Sequence, residues 1–167
     1  STKHVVADEC GSPSWSADSR RILHFRWGGL FSMDVDGRNS ERIYEIPIED
    51  QAWMTPQYSP DGEHIAVSVQ LLSGSKGGLP EVWVLNSDGT GLRRLTRQGG
   101  SHPSWSPDGR AIIFTRANYL NNLPGSGVLW SVDPVTGVQQ QVTSKWPESC
   151  PTPVAESSWG DIKRRFR

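Results

Sequence analysis

The side chains that could do chemistry in this chain are few and widely spaced. The histidines are His4, His24, His64 and His102. No two have the short spacing of a zinc site, and neither His-x-x-x-His nor Cys-x-x-Cys occurs. No Gly-x-Ser-x-Gly elbow is present to carry a serine nucleophile, and no Gly-x-x-x-x-Gly-Lys loop to cradle phosphate. Gly74-Ser75-Lys76-Gly77-Gly78 is glycine-rich, but no helix pattern follows it, so it reads as a flexible loop. Asp18, Asp36, Asp61, Asp88, Asp108 and Asp133 recur at turns. There an aspartate carboxylate holds backbone N–H groups, and no EF-hand spacing of oxygen ligands accompanies them. Glycan cleavage would require histidine, arginine and carboxylate groups to converge. His102, Arg26, Arg116 and Glu9 are the scattered candidates. The sequence therefore assigns no catalytic residue, no cofactor-binding residue and no metal ligand.

The elements that would position these groups come from a repeat. Ser12-Pro13-Ser14-Trp15-Ser16-Ala17-Asp18-Ser19 returns as Thr55-Pro56-Gln57-Tyr58-Ser59-Pro60-Asp61-Gly62. It returns again as His102-Pro103-Ser104-Trp105-Ser106-Pro107-Asp108-Gly109. A period in the forties marks a propeller or another repeat array. Each copy predicts a short segment ending in an aromatic, then a turn in which proline presets φ and glycine takes positive φ. A β-rich run follows, Ile22–Phe25, Ile65–Val69 and Ala111–Phe114. A third strand is expected at Leu30–Val35, Val82–Leu85 and Val128–Val132, and a last one at Glu41–Tyr44, Leu92–Thr96 and Val138–Thr143. Short β-branched or aromatic runs between turn residues read as all-β. Four antiparallel strands in about 45 residues make one propeller blade, which must stack on its neighbours to bury both faces. Trp15, Trp83, Trp105 and Trp130 fall on strands and are expected to fill the wedges between sheets. Trp27, Trp53 and Trp146 fall in loops, where stacking on a carbohydrate is the minority alternative.

The motif of the third copy, followed by Ile112-Ile113-Phe114, resembles the repeat of TolB-type, WD-like β-propellers. So does Val82-Trp83-Val84-Leu85-Asn86-Ser87-Asp88-Gly89-Thr90-Gly91-Leu92-Arg93-Arg94-Leu95-Thr96. Such blades also occur in tricorn-type proteases and in oligopeptidase propeller domains. The resemblance covers about residues 12 to 144. It is specific for the blade and silent about the ligand. The first copy departs from it, with Ala17 in place of proline and Ser19 in place of glycine, which leaves its turn geometry open.

Composition agrees with a turn-rich β protein: 35% hydrophobic residues, with 17 glycines and 12 prolines. A formal net charge of −1 offers no field for nucleic acid or an anionic membrane, and Lys163-Arg164-Arg165-Phe166-Arg167 reads as a solvated tail. No apolar run approaches the roughly 20 residues that cross a bilayer. Ser1 rather than Met at the first position fits a removed leader or trimming. The expected organisation is a strand or clasp over 1–11, blades over 12–54, 55–100 and 101–148, and a tail or partial blade over 149–167. Propellers close with roughly four to eight blades. The chain thus reads either as part of a longer propeller or as half of a six-bladed ring completed by a homodimer. Cys10 precedes Pro13 by the same interval as Cys150 precedes Pro153. In a closed dimer the two could bridge between chains; two free thiols are the alternative. A bridge would need an exported, oxidising location. Periplasmic or secreted is therefore the expected location, with the cytoplasm left open.

Alternating strand direction puts the tight Asp-Gly turns on one side of the disc. The other side carries the longer loops, about Gln70 to Pro80 and Arg116 to Gly127, and loops on a rigid scaffold are where binding concentrates. Trp27, Leu71, Leu72, His102, Tyr119, Leu120, Asn121 and Asn122 are the candidate binding residues, His102 because it lies where a central channel would open. The function expected from the resemblance is a non-catalytic module binding a protein or peptide. The alternatives are a propeller belonging to a larger oligopeptidase-like enzyme, or a glycan-active propeller. Far-UV circular dichroism should be dominated by strand; a helix-dominated spectrum would overturn the all-β assignment.

Overall fold

In the computed structural model, residues 11–26, 29–45, 52–71, 78–117 and 127–143 are described. Twelve strands follow in order: β1 (Gly11–Trp15), β2 (Arg21–Arg26), β3 (Gly29–Asp34), β4 (Glu41–Glu45), β5 (Ala52–Tyr58), β6 (His64–Leu71), β7 (Glu81–Asn86), β8 (Arg93–Arg94), β9 (Ser101–Trp105), β10 (Ile112–Ala117), β11 (Gly127–Val132) and β12 (Gln139–Gln141). They form three four-stranded sheets, each a meander of consecutive antiparallel strands. Each sheet is one repeat. The first strands are innermost, with β1 against β5 and β5 against β9, as in blades set radially about an axis. No helix occurs among the described residues.

Burial on both sides explains the middle blade's sequence. Ile65, Ala66 and Val67 run consecutively and all are 0% exposed, because β6 has a neighbour on each face. One face joins Ile65, Val67 and Leu85 to Leu23, Phe25 and Leu30 of the first blade. The other joins Ala66, Val82, Val84 and Leu95 to Ile112, Phe114 and Val132 of the third. The aromatic closing the first strand of the second and of the third blade lies on the blade before it. Tyr58 packs on the first of these clusters and Trp105 on the second.

Trp83 and Trp130 also pack at these junctions, though half-buried rather than enclosed. Trp53, expected in a loop, lies in β5, and Trp15 also departs from expectation. It is 61% exposed, because its place in the repeat faces a preceding blade and no described strand lies on that side. The open question of the first turn resolves simply. Ser19 takes φ 59°, close to Gly62 at 76° and Gly109 at 70°, so the turn survives without glycine. β8 is shorter than the expected strand. The N–H groups of Leu95 and Thr96 both reach the Val82 carbonyl, at 2.8 and 3.3 Å, and break the ladder. Gly89, at φ 87°, is needed where two blades touch: a Cβ there would sit 1.9 Å from the Ile43 carbonyl oxygen.

Phe114→Ala should lower stability by about 3–5 kcal/mol in urea titrations, whereas Val135→Ala should stay within about 0.5 kcal/mol. Equal effects would contradict the burial of Phe114 between the second and third blades.

Candidate functional site

The aspartates on the tight-turn side are fully engaged. In each blade the serine after the aromatic donates its hydroxyl to the turn aspartate: Ser16 to Asp18 at 2.7 Å, Ser59 to Asp61, and Ser106 to Asp108 at 2.6 Å. The same carboxylate accepts the backbone N–H two residues on, from Arg20, Glu63 and Arg110. The serine oxygen in turn accepts the N–H of Arg21, His64 and Ala111, which starts the second strand. Serine and aspartate at this spacing therefore form a closed hydrogen-bond cassette. Asp88 and Asp133 do the same work at the other turns, holding Thr90 and the Val135 and Thr136 N–H groups. Donated hydrogen bonds keep the carboxyls of Asp18, Asp61, Asp88, Asp108 and Asp133 below the ordinary carboxylate range. Carboxylates held ionised this way are poor general acids.

A cleft of about 400 Å³ opens on this side between the first two blades, lined by Asp18, Arg21, Ser32, Glu41, Tyr58 and Asp61 among others. Arg21 organises it. Its guanidinium donates to the Ser32 hydroxyl at 2.7 Å, the Ser32 carbonyl at 3.1 Å, Asp34 at 3.2 Å and Glu41 at 2.7 Å. Arg21 stands where the other copies have His64 and Ala111, so its departure from the repeat was the available signal for this hub. Asp61, Glu63 and His64 bring one potential ligand atom each within 4.8 Å of one another. With Asp61 already bonded to Ser59 and to the Glu63 N–H, this exposed group reads as turn structure.

On the loop side, His102 is exposed in β9 and takes φ 53° immediately before Pro103. Ser12, its counterpart in β1, takes φ 51°. Both sit at breaks in strand register, whereas β5 pairs with β6 without interruption. Two non-glycine residues in the left-handed region cost on the order of 1–2 kcal/mol each. The counterpart in β5 is Thr55, whose hydroxyl is buried without a hydrogen-bond partner among the described residues. Leu71 ends β6. Trp27, Leu72, Tyr119, Leu120, Asn121, Asn122, Cys10, Cys150 and Glu9 lie outside the described residues. The other charged candidates do not converge on a reaction centre. Arg116 lies 4.2 Å from the Trp130 ring centre and donates to the Gly99 carbonyl at 3.3 Å and to Gln139, while Arg26 lies over Phe31 at 6.0 Å. Burial lowers the Arg116 pKa from its ordinary value.

Among the described residues His24 is the one histidine sealed from solvent, at 3% exposure. The ring stacks on Phe31 at 5.8 Å, and its polar contact among the described residues is with the Phe25 backbone. Burial, with the charge of Arg26, holds its imidazole below the ordinary histidine range. In register it matches Val67 and Phe114, since His24 pairs with Phe31, Val67 with Trp83 and Phe114 with Trp130. The position is a core position occupied by a titratable group.

A depressed pKa contributes stability that is complete above the unfolded value and lost as pH falls toward the folded value. For His24 the loss begins as pH drops below about 6.5, and for the turn aspartates below about 3.9. Urea titrations across pH should therefore show two stages of acid destabilisation. His24→Phe should remove the upper stage and keep the lower one. A wild-type profile flat down to the carboxylate range would show that His24 is not buried neutral.

No family model matches the chain. TolB, a Tol-Pal system protein of Rhizorhabdus wittichii, is 37% identical over 87 residues, which is 52% of this chain and 18% of that protein. An uncharacterised peptidase, YuxL of Bacillus subtilis, is 36% identical over 62 residues, covering 36% of this chain and 9% of that protein. The crystal structure of TolB from Acinetobacter baumannii superposes with a TM-score of 0.61 at 24% identity, over 83% of this chain and 33% of that one. The chain spans less than a fifth of the length of these curated relatives. The repeats are TolB-like propeller blades.

Proposed function

We propose that this arc of TolB-like blades is a non-catalytic module that binds a protein or peptide, that it works in the periplasm or outside the cell, and that it self-associates. The observation that carries the reading is the state of its polar groups. The five turn aspartates with depressed pKa are held in hydrogen-bond cassettes, and Arg21 and Arg116 are tied to the scaffold. What remains is a rigid support for loops, which suits recognition. The naming of the curated relatives as Tol-Pal system proteins supports the same reading and the periplasmic location. The partner-facing residues in this proposal are Trp27, Leu71, Leu72, His102, Tyr119, Leu120, Asn121 and Asn122. A second reading, a propeller belonging to a larger peptidase, is favoured by the YuxL match alone.

Panning a displayed random-peptide library against the chain should enrich binders. A Tyr119→Ser, Leu120→Ser double variant should weaken them about tenfold or more while leaving the far-UV spectrum unchanged. Binders indifferent to that change would place recognition elsewhere. Turnover of a peptide or oligogalacturonate substrate by the chain would overturn the non-catalytic reading.

A further inference from the structure

Of the turn aspartates, four are followed directly by glycine: Asp36, Asp61, Asp88 and Asp108. Such a bond is open to attack by the main chain on its own side chain, because glycine puts no Cβ in the way of the ring that forms. The fold sets the four bonds up alike in two respects. Each glycine takes positive φ, at 82°, 76°, 87° and 70° in chain order, and donates its N–H to the carbonyl three residues back at 2.9 Å. Each carboxylate also accepts the backbone N–H two residues on, at 3.0, 3.0, 2.9 and 3.1 Å.

They differ in a third. A hydroxyl also donates to Asp61, Asp88 and Asp108: from Ser59, from Thr90 at 2.6 Å and from Ser106 at 2.6 Å. At Asp36 the matching places hold Asp34, two residues before, and Arg38, two residues after, and among the described residues no hydroxyl reaches the carboxylate. Its remaining contact is the Arg38 guanidinium, 3.7 Å from its second oxygen, with the two side chains 58% and 70% exposed. A carboxylate held by both a hydroxyl and an N–H must break the hydroxyl bond before it can swing onto the glycine nitrogen. The hydroxyl bonds also keep the Asp61, Asp88 and Asp108 carboxyls below the ordinary carboxylate range, and an ionised carboxylate gives up oxygen less readily than a protonated one.

We propose that Asp36–Gly37 is a self-modification site, which converts through a cyclic imide to a β-linked isoaspartate while hydroxyl clamps protect the other three Asp–Gly bonds. The Gly37 nitrogen attacks Cγ of the protonated Asp36 carboxyl. The new N–C bond forms as the C–OH bond breaks, and the amide proton and the hydroxyl leave as one water. A second water opens the five-membered imide at either carbonyl, which restores aspartate or leaves the chain linked through Cβ. Mass is unchanged overall, and water is the one co-reactant. The β-linkage adds one atom to the main chain inside a turn closed by the bond from the Asp34 N–H to the Arg38 carbonyl at 2.9 Å. Arg21 holds this turn from both sides, through the Asp34 carboxylate at 3.2 Å and the Asn39 carbonyl at 3.3 Å. The modification therefore acts on the support of the Arg21 cleft, not on the blade core.

Trypsin places each Asp–Gly pair in its own peptide, 27–38, 43–76, 77–93 and 98–110. After storage of the folded chain at neutral pH and physiological temperature, the 27–38 peptide should split chromatographically into two species of equal mass, one carrying isoaspartate by electron-transfer fragmentation. It should convert about tenfold or more faster than the other three, the factor that one hydrogen bond to a charged acceptor carries. In denaturing urea, where the clamps are gone, the four rates should draw together. Ser106→Ala should raise conversion of the 98–110 peptide in the folded chain toward that of 27–38. Thr90→Ala, read in the 77–93 peptide, serves where the serine variant loses its far-UV strand signal. Even conversion across the four bonds of the folded chain, faster conversion at another bond, a difference that persists undiminished in urea, or no gain in either hydroxyl variant each overturns the proposal. So does a 27–38 peptide that stays unchanged in the folded chain after the urea-treated chain has converted.

Discussion

A twisted four-stranded sheet with apolar residues on both faces cannot exist in water unless both faces are covered, and everything else in this structure follows from that. The second blade shows the condition met. Ile65, Ala66 and Val67 alternate sides yet all are fully buried, so the strand abandons the polar alternation of a half-exposed sheet. The second and third blades each send the aromatic ending their first strand onto the blade before. Burial of this kind contributes roughly 25 cal/mol per Å² of apolar surface and accumulates over a whole junction, whereas a single hydrogen bond contributes about 0.5–1.5 kcal/mol.

Polar chemistry serves this packing. The Ser–Asp cassette uses two short side chains to satisfy the backbone of a tight turn, so the chain reverses within a few residues and the next strand begins in register. The buried Glu81 does comparable work at the outer edge of the second blade. It accepts from Arg94 at 2.9 Å and from the Thr96 hydroxyl, and Thr96 in turn accepts the Val82 N–H at 2.9 Å. The carboxylate is thereby paired rather than stranded, the condition under which a buried charge is tolerated. Arginines also roof the half-buried third-strand aromatics: Arg26 over Phe31, Arg94 over Trp83 and Arg116 over Trp130. Trp83 and Trp130 stay half-buried, each with a guanidinium against its ring.

The scaffold and its chemistry are thus separable. Two of the positive-φ non-glycine residues, Ser12 and His102, lie where first strands begin, whereas β5 pairs with β6 without interruption. The polar cleft lies on the tight-turn side, and its arginine is already neutralised by Asp34 and Glu41.

The sequence by itself determined the repeat, the strand order within a blade, the turns and the structural role of the aspartates. Each of these is written in contiguous residues: proline and glycine set local φ, and a Ser-x-Asp spacing closes its own hydrogen bonds. Even the divergent first turn obeyed, since Ser19 can reach the left-handed region that glycine favours. What the sequence could not decide was which of several equivalent side chains would find a neighbour. Trp15, Tyr58 and Trp105 are interchangeable as letters, yet one is exposed and the others pack on a preceding blade. Arg21 became the hub of the cleft, Arg116 was drawn onto Trp130, and His24 was sealed into a core position, through contacts with residues distant in the chain. Those outcomes depend on how whole sheets stack, so only the tertiary structure fixed them.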